Sequence, residues 1–436
     1  MATDTGRSRA VPSRSSFSRM VIAATIGNVL EWFDFVVYVY FAVTISEVFF
    51  PSGNSTASLL LTFGTFGLAY FVRPLGAIFI GGYTDRHGRK AGLTLSIGLM
   101  MIGTTLMAVT PGFATIGVAA PLLIIFARLM QGFSVGGEFG SAVSFLVEHG
   151  SHRKGFAASW QWASTGIISI IVSVFGITLT TLLTHDQLTS WGWRLLYFFG
   201  MLIGPAGLYI RSQVTETAEF LEAEKPPTIP IAELLRRYPF PVLLALGASI
   251  ISNSSYYLLA YIPTFGVKQL HLPAYTGFVA TLVGGIILAI FSVVAGHWSD
   301  KGPRPRIMLI TGWLFLLTAY PSFYLMVAWP SLTACVIAVG WLNLVKAGYS
   351  GVLPSLLGEQ FPVEIRAIGV SLSFSTAVSI FGGLSPFVAA WLIAETGDPL
   401  SPSYYLMATA LLSIIALMAI RRRPVYALAP APAPAE

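Results

Sequence analysis

Six ionisable side chains lie where such groups are expensive. Glu31 and Asp34 belong to the stretch GNVLEWFDF, inside an almost wholly apolar run from Met20 to Val48. Glu138 lies in the apolar stretch RLMQGFSVGGEFG, and Arg73, Arg128 and Lys346 fall within or at the edge of further apolar runs. At the centre of a membrane helix each such charge costs about 2.5–3.5 kcal/mol on insertion scales, so a group of them calls for a use. Two uses compete. Arg73 neutralises Glu31 or Asp34 and the pair only fixes helix packing, or the groups line a central cavity. In a cavity, a carboxylate stripped of water takes up and releases a proton near neutral pH, and a neighbouring cation holds an anionic solute. The residue types favour the second use. Asp34, Glu138 and Glu31 are the expected proton-coupling acids, and Arg73, Lys346 and Arg128 the expected anion contacts, with Arg128 also placed to brace its own span.

The elements that position these groups follow from composition. Of 436 residues, 55% are hydrophobic and only 10% charged, where a soluble chain has about 25% charged. The chain therefore reads as an all-α membrane protein with the lipid bilayer as solvent. Cys335 is the only cysteine, which rules out an intrachain disulfide, and the six histidines are scattered. No metal-ligand spacing, Walker loop, nucleophile elbow or dinucleotide fingerprint is present, so no metal site, cofactor or catalytic group is expected, and the chain does not read as an enzyme.

Runs of about 20 apolar residues cross a bilayer. Twelve are expected, near 20–49, 57–80, 92–110, 119–147, 155–183, 192–210, 240–267, 274–297, 306–328, 331–357, 367–394 and 403–420. With the N-terminus inside, twenty Lys and Arg fall in inside segments and only Lys268 in an outside loop, an asymmetry that fixes the orientation by the positive-inside rule. The net charge of +6 is thus topological, and no nucleic-acid partner is implied. The division reads as a cytoplasmic tail (1–19), a six-helix bundle (20–210), a cytoplasmic linker (211–239), a second six-helix bundle (240–420) and a Pro/Ala-rich cytoplasmic tail (421–436). The first apolar run is too long for a signal-peptide core. Within the linker, residues from Thr215 to Glu224 read as a short amphipathic helix.

By a rise of about 1.5 Å per residue, Glu31 and Arg73 both lie roughly 18 Å deep and Glu138 roughly 15 Å, with Lys346 also near the midplane. Glu31 and Asp34 are placed on one face with Asn28 and Tyr38. On the seventh span Asn253, Tyr257 and Tyr261 share a face, and Gln161 stands on the fifth; Gln161, Asn253 and Tyr257 are expected as hydrogen-bonding walls, with a belt role equally open for Tyr261.

The halves repeat. GGYTDRHGRK follows the second span and GHWSDKGPRPR the eighth, with Asp85 and Asp300 215 residues apart. Glu148 before Arg153 is echoed by Glu359 before Arg366. This is the mark of a parallel duplication. Here the chain resembles the major facilitator superfamily, through Gly81, Asp85, Arg86, Gly88, Arg89 and Lys90 in the loop after the second span and Arg128 to Gly140 in the fourth. GNVLEWFDF, RPLGA, QGFSVGGE, WGWR, EQFPVEIRAIGVSLS and IFGGLSP resemble its metabolite:proton symporter branch. LLTFGTFGLAYFVRPLGA, RKGFAASWQ, YIPTFG and ETGDPLSPSYYL resemble the citrate and tricarballylate carriers within it; Lys346 has no match there.

The resemblance implies the major facilitator fold, a monomer in the inner membrane of a bacterium with both termini cytoplasmic, and import of a small carboxylate by proton symport with alternating access. It implies gating by Asp85, Arg86, Gly88 and Arg89. Asp300 is expected to gate in the second half, although its loop copy reads DKGPRPR, which departs from the pattern. The alternative solute is an osmolyte such as proline or betaine; the known osmolyte carriers extend into a C-terminal coiled coil, and this chain ends in PAPAPAE without heptads. A transporter-like membrane sensor is the alternative of another class, and it would carry a soluble signalling domain.

Overall fold

The computed structural model describes residues 25, 28, 29, 32–87, 89–135, 138–149, 153–201, 231–362 and 365–422. Among these the chain is helical almost throughout and forms no strand. Helices are what a bilayer permits, since each satisfies its own backbone polar groups. Eight described helices are long and apolar enough to cross a membrane, and nine if the bent pair Trp32–Tyr40 and Ala42–Phe49 counts as one span. That pair is the first span. The second is Ser55–Ile80, the third Arg89–Val109, and the fourth Ala119–Ser134 with Glu138–His149. The fifth is Lys154–Leu182, and the sixth enters at 194–201. The seventh is Pro239–Ala260 with Ile262–Lys268, followed by Ala274–Ser299, Arg304–Ala328, Leu332–Glu359, Arg366–Thr396 and Ser401–Arg422 as the eighth to twelfth. These twelve correspond to the twelve expected. The expected helix at 215–224 lies outside the described residues; a shorter one, Ile231–Arg237, precedes the seventh span.

The helices turn the usual pattern inside out. Phe79, Phe126, Leu182 and Leu317 are exposed, while Arg128, Gln131, Ser252 and Ser254 are buried. Lipid covers the first set; the second must find partners within the protein.

Several spans are interrupted along their length. The first bends by 77° at Phe41, and the seventh breaks at Tyr261, 220 residues later. Pro263 explains the second break, because it has no N–H for the Leu259 carbonyl. In the fourth span the helix Ala119–Ser134 ends at Val135, and in the tenth Leu332–Ser350 ends at Gly351, 216 residues later. The breaks recur at nearly the spacing of the sequence repeat, so the duplication extends to local backbone geometry. Broken helices free backbone groups where a membrane protein handles solutes.

The fifth and eighth spans pack backbone to backbone. A Cβ on Gly166 would come within 2.6 Å of the Ala289 nitrogen and 2.7 Å of the Gly285 oxygen. Only glycine lets the two axes approach this closely.

Candidate functional site

The buried charges fall into two layers. In one, the first span carries Asp34 inward against the third and fourth. Its Oδ2 accepts from Thr104 Oγ1, and from Gln131 Nε2 at 3.2 Å. The same Gln131 nitrogen lies 3.2 Å from Thr104 Oγ1, and its Oε1 accepts from Arg128 Nη1 at 2.9 Å. Asp34 and Arg128 are therefore opposite charges joined through one amide, with no direct ion pair between them. The rest of the Arg128 guanidinium faces rings, 4.6 Å from the Phe35 centroid and 4.5 Å from that of Tyr38. Its Nε and Nη2 have no hydrogen-bond partner among the described residues, and neither does Asp34 Oδ1. A Cβ at Gly200 on the sixth span would sit 2.7 Å from that oxygen, so the glycine leaves the carboxylate its room.

The other layer lies between the first six spans and the last six. Arg73, at the break of the second span, is stacked over Tyr70 at 4.4 Å, Trp32 at 4.8 Å and Phe35 at 5.0 Å, a cation held by ring faces. Its Nε and Nη2 lack hydrogen-bond partners among the described residues. The Trp32 ring also walls a hollow with Asn28, Gln161, Trp162, Asn253 and Tyr256. Gln161 donates to Asn28 Oδ1 at 2.6 Å, and Asn28 to Ser164 Oγ at 2.5 Å, which pins the first span to the fifth. Asn253 donates to the Ser249 carbonyl at 2.8 Å. A second hollow shares Tyr256 and contains Lys346, whose Nζ lies 4.4 Å from the Tyr256 ring and 5.5 Å from Trp162. Each hollow is about the size of one water molecule.

The layers are closed at both ends. At one, Asp300 Oδ1 accepts from the Gly155 N–H at 2.6 Å and Oδ2 from that of Phe156 at 3.0 Å, capping the fifth span from the far half. Arg304 reaches both Asp300, at 3.2 Å, and Glu359. Phe139 and Phe374 stack face to face at 3.4 Å. At the other end, Tyr70 donates to the Tyr257 hydroxyl at 2.6 Å, Phe63 meets Tyr261 edge-on at 5.5 Å, and Phe41 packs on Phe278 at 5.2 Å.

Several expected residues are thus placed. Gln161, Asn253 and Lys346 line the hollows; Arg73 backs one of them through Trp32. Asp34 does not line either hollow but points into the first six-helix group, and its contacts are Thr104 and Gln131, not Arg73. Tyr257 lies in the closure with Tyr70. Asp300 makes a contact across the halves despite its altered loop. Glu31 and Gly88 lie outside the described residues; Glu138, Asp85, Arg86 and Arg89 occupy helical positions whose side chains also lie outside them. Thr104 was not foreseen: a threonine beside Thr105 in an apolar helix carries no signal of its own. The other intramembrane cation, Arg194, donates to the Ala108 carbonyl at 2.6 Å and closes the end of the third span. Buried Cys335 is a core residue.

A family model described as Major Facilitator Superfamily matches residues 24–339. The chain is 36% identical over 407 residues to a citrate-proton symporter of Salmonella typhi, covering 93% of this chain and 94% of the relative. It is 34% identical to a citrate-proton symporter of Klebsiella pneumoniae, covering 94% and 93%. A proline/betaine transporter of Salmonella typhimurium is 32% identical, covering 95% and 86%. Among solved structures, a D-xylose-proton symporter superposes with a TM-score of 0.74 at 17% identity, covering 92% of this chain and 97% of that one, a likeness of fold alone.

Proposed function

We propose that this chain, which belongs to the major facilitator superfamily, is a secondary active transporter that imports a small organic anion of the di- or tricarboxylate kind with protons. The carrying observation is the pair of buried layers: an acid tied to a cation through Gln131, and beside it a hollow flanked by two cations. The relatives named as citrate-proton symporters support the solute class and the coupling ion. No cofactor enters; the proton is the coupling ion. The chain is a transporter, not an enzyme.

The first layer moves the proton. Asp34 in its charged form is held by Thr104, by Gln131 and, through Gln131, by Arg128. Protonation cancels that attraction and releases Arg128 and the fourth span. Glu138, on the same span, and Glu31, on the first, are proposed as further coupling acids. The second layer holds the solute, with Arg73 and Lys346 as anion contacts and Gln161 and Asn253 as hydrogen-bonding walls. Closure at both ends fits an occluded stage of alternating access, with Asp300 gating one end and Asp85, Arg86, Gly88 and Arg89 proposed as its counterpart in the first half.

The protein acts as a monomer in a bacterial inner membrane, with both termini cytoplasmic. Its two six-helix bundles, 20–210 and 240–420, rock about the central layer, joined by the 211–239 linker. A proline or betaine carrier is the weaker reading: a zwitterion brings its own cation into a hollow that already holds Lys346. The test is a thermal-shift panel of citrate, succinate, proline and betaine on the purified protein. Stabilisation by the carboxylates alone supports the reading; stabilisation by betaine alone overturns it.

A further inference from the structure

We infer that Lys346 holds one carboxylate of the substrate in a subsite separate from Arg73, so that the protein selects anions with at least two carboxylates. This rests on the organic-anion reading above and adds the residue that sets selectivity.

Lys346 is buried, and its Nζ has no hydrogen-bond partner among the described residues. No described acid reaches it. Asp34 is engaged in the other layer, and the described ion pairs involve Glu47, Asp300 and Glu359. An ammonium so placed is stabilised by an anion, and no described residue supplies one there. The surroundings suit a carboxylate. Two ring faces, of Tyr256 and Trp162, steady the cation. Asn343, in the same hollow, spends one amide hydrogen on the Val339 carbonyl at 2.9 Å and keeps another to donate.

The second cation stands behind the Trp32 ring of the neighbouring hollow. Arg73 lies against one wall of it, Trp32, while Tyr256 and Trp162 form the wall toward Lys346. A ligand spanning both hollows meets a positive charge at each end. A monocarboxylate satisfies one and leaves the other buried and unpaired, and a zwitterion sets its cation against one of them. Because each hollow has room for only about one water, the ligand enters only after the halves part.

The test compares binding of citrate, succinate, lactate and betaine by the full-length protein in detergent, for the wild type, Lys346→Met and Lys346→Arg. Methionine in place of an unpaired buried ammonium is expected to fold at least as well. The wild type should prefer citrate and succinate over lactate; Lys346→Met should lose roughly tenfold or more for the first two and little for lactate, and Lys346→Arg should keep the preference. Asn343→Leu, measured alongside, should shift in the same direction by a smaller factor. A folded Lys346→Met, or Asn343→Leu if that variant fails to fold, that keeps the wild-type ratio of citrate to lactate affinity overturns the inference while leaving carboxylate transport intact. A wild type that binds no carboxylate overturns the parent reading and this one with it.

Discussion

Asp34 and Arg128 face each other across a single glutamine. Gln131 donates to the carboxylate at 3.2 Å and accepts from the guanidinium at 2.9 Å, so neither charge is in direct contact with the other. A bridged pair of this kind is looser than an ion pair. Changing the protonation of one member alters the hold on the other without a bare buried charge being pulled out of contact.

Gln131 therefore transmits the proton signal. Gln131→Leu leaves two buried charged groups each short of a hydrogen bond, at about 1–3 kcal/mol apiece. Concentrative uptake should fall by roughly tenfold or more, a loss of the size that 1.4 kcal/mol produces. Uptake by cells at acid external pH reads this directly, with surface expression measured alongside.

Asp34→Asn keeps the shape and the bond to Thr104 but removes the titrating group. Accumulation driven by external acid should vanish, while exchange of internal for external solute persists. A counterflow assay separates the two. Accumulation at the wild-type level returns Asp34 to a packing role.

At the closure, Asp300 accepts two backbone N–H bonds from the fifth span and one from Arg304. Bonds to a charged acceptor are worth about 1.5–3 kcal/mol each, so their loss should favour opening at this end. Ser159 is buried against Gly296 beside this contact, so in a Cys335→Ser background carrying Ser159→Cys, Asp300→Ala should raise the rate of alkylation several-fold. An unchanged rate removes Asp300 from the gate.

Arg73 is held by three ring faces and by no acid among the described residues, so its removal leaves no described carboxylate unpaired. Arg73→Ala should weaken citrate binding by roughly tenfold or more. Equilibrium binding in detergent, with melting temperature as a folding control, decides the point.

The spans were legible because apolar runs of bilayer length have few other homes, and the duplication was legible because Asp85 and Asp300 sit in like surroundings. What each buried charge faces was not. Glu31, Asp34, Asn28 and Tyr38 were placed on one face by steps of three and four, but each three-residue step falls about 60° short of a full turn. Over the six residues from Asn28 to Asp34 the error doubles, and the structure sends Asn28 to the fifth span and Asp34 to the third and fourth. The bend at Phe41 has no Pro or Gly beside it, and nothing local announces it. The seventh-span break did have its proline.

Coupled uptake is the most direct test of the whole account. Purified protein in liposomes, given an acid exterior and radiolabelled citrate, should accumulate the label above its external concentration and lose the excess when a protonophore is added. Citrate uptake that proceeds at the same rate and to the same level with the proton gradient collapsed would contradict it.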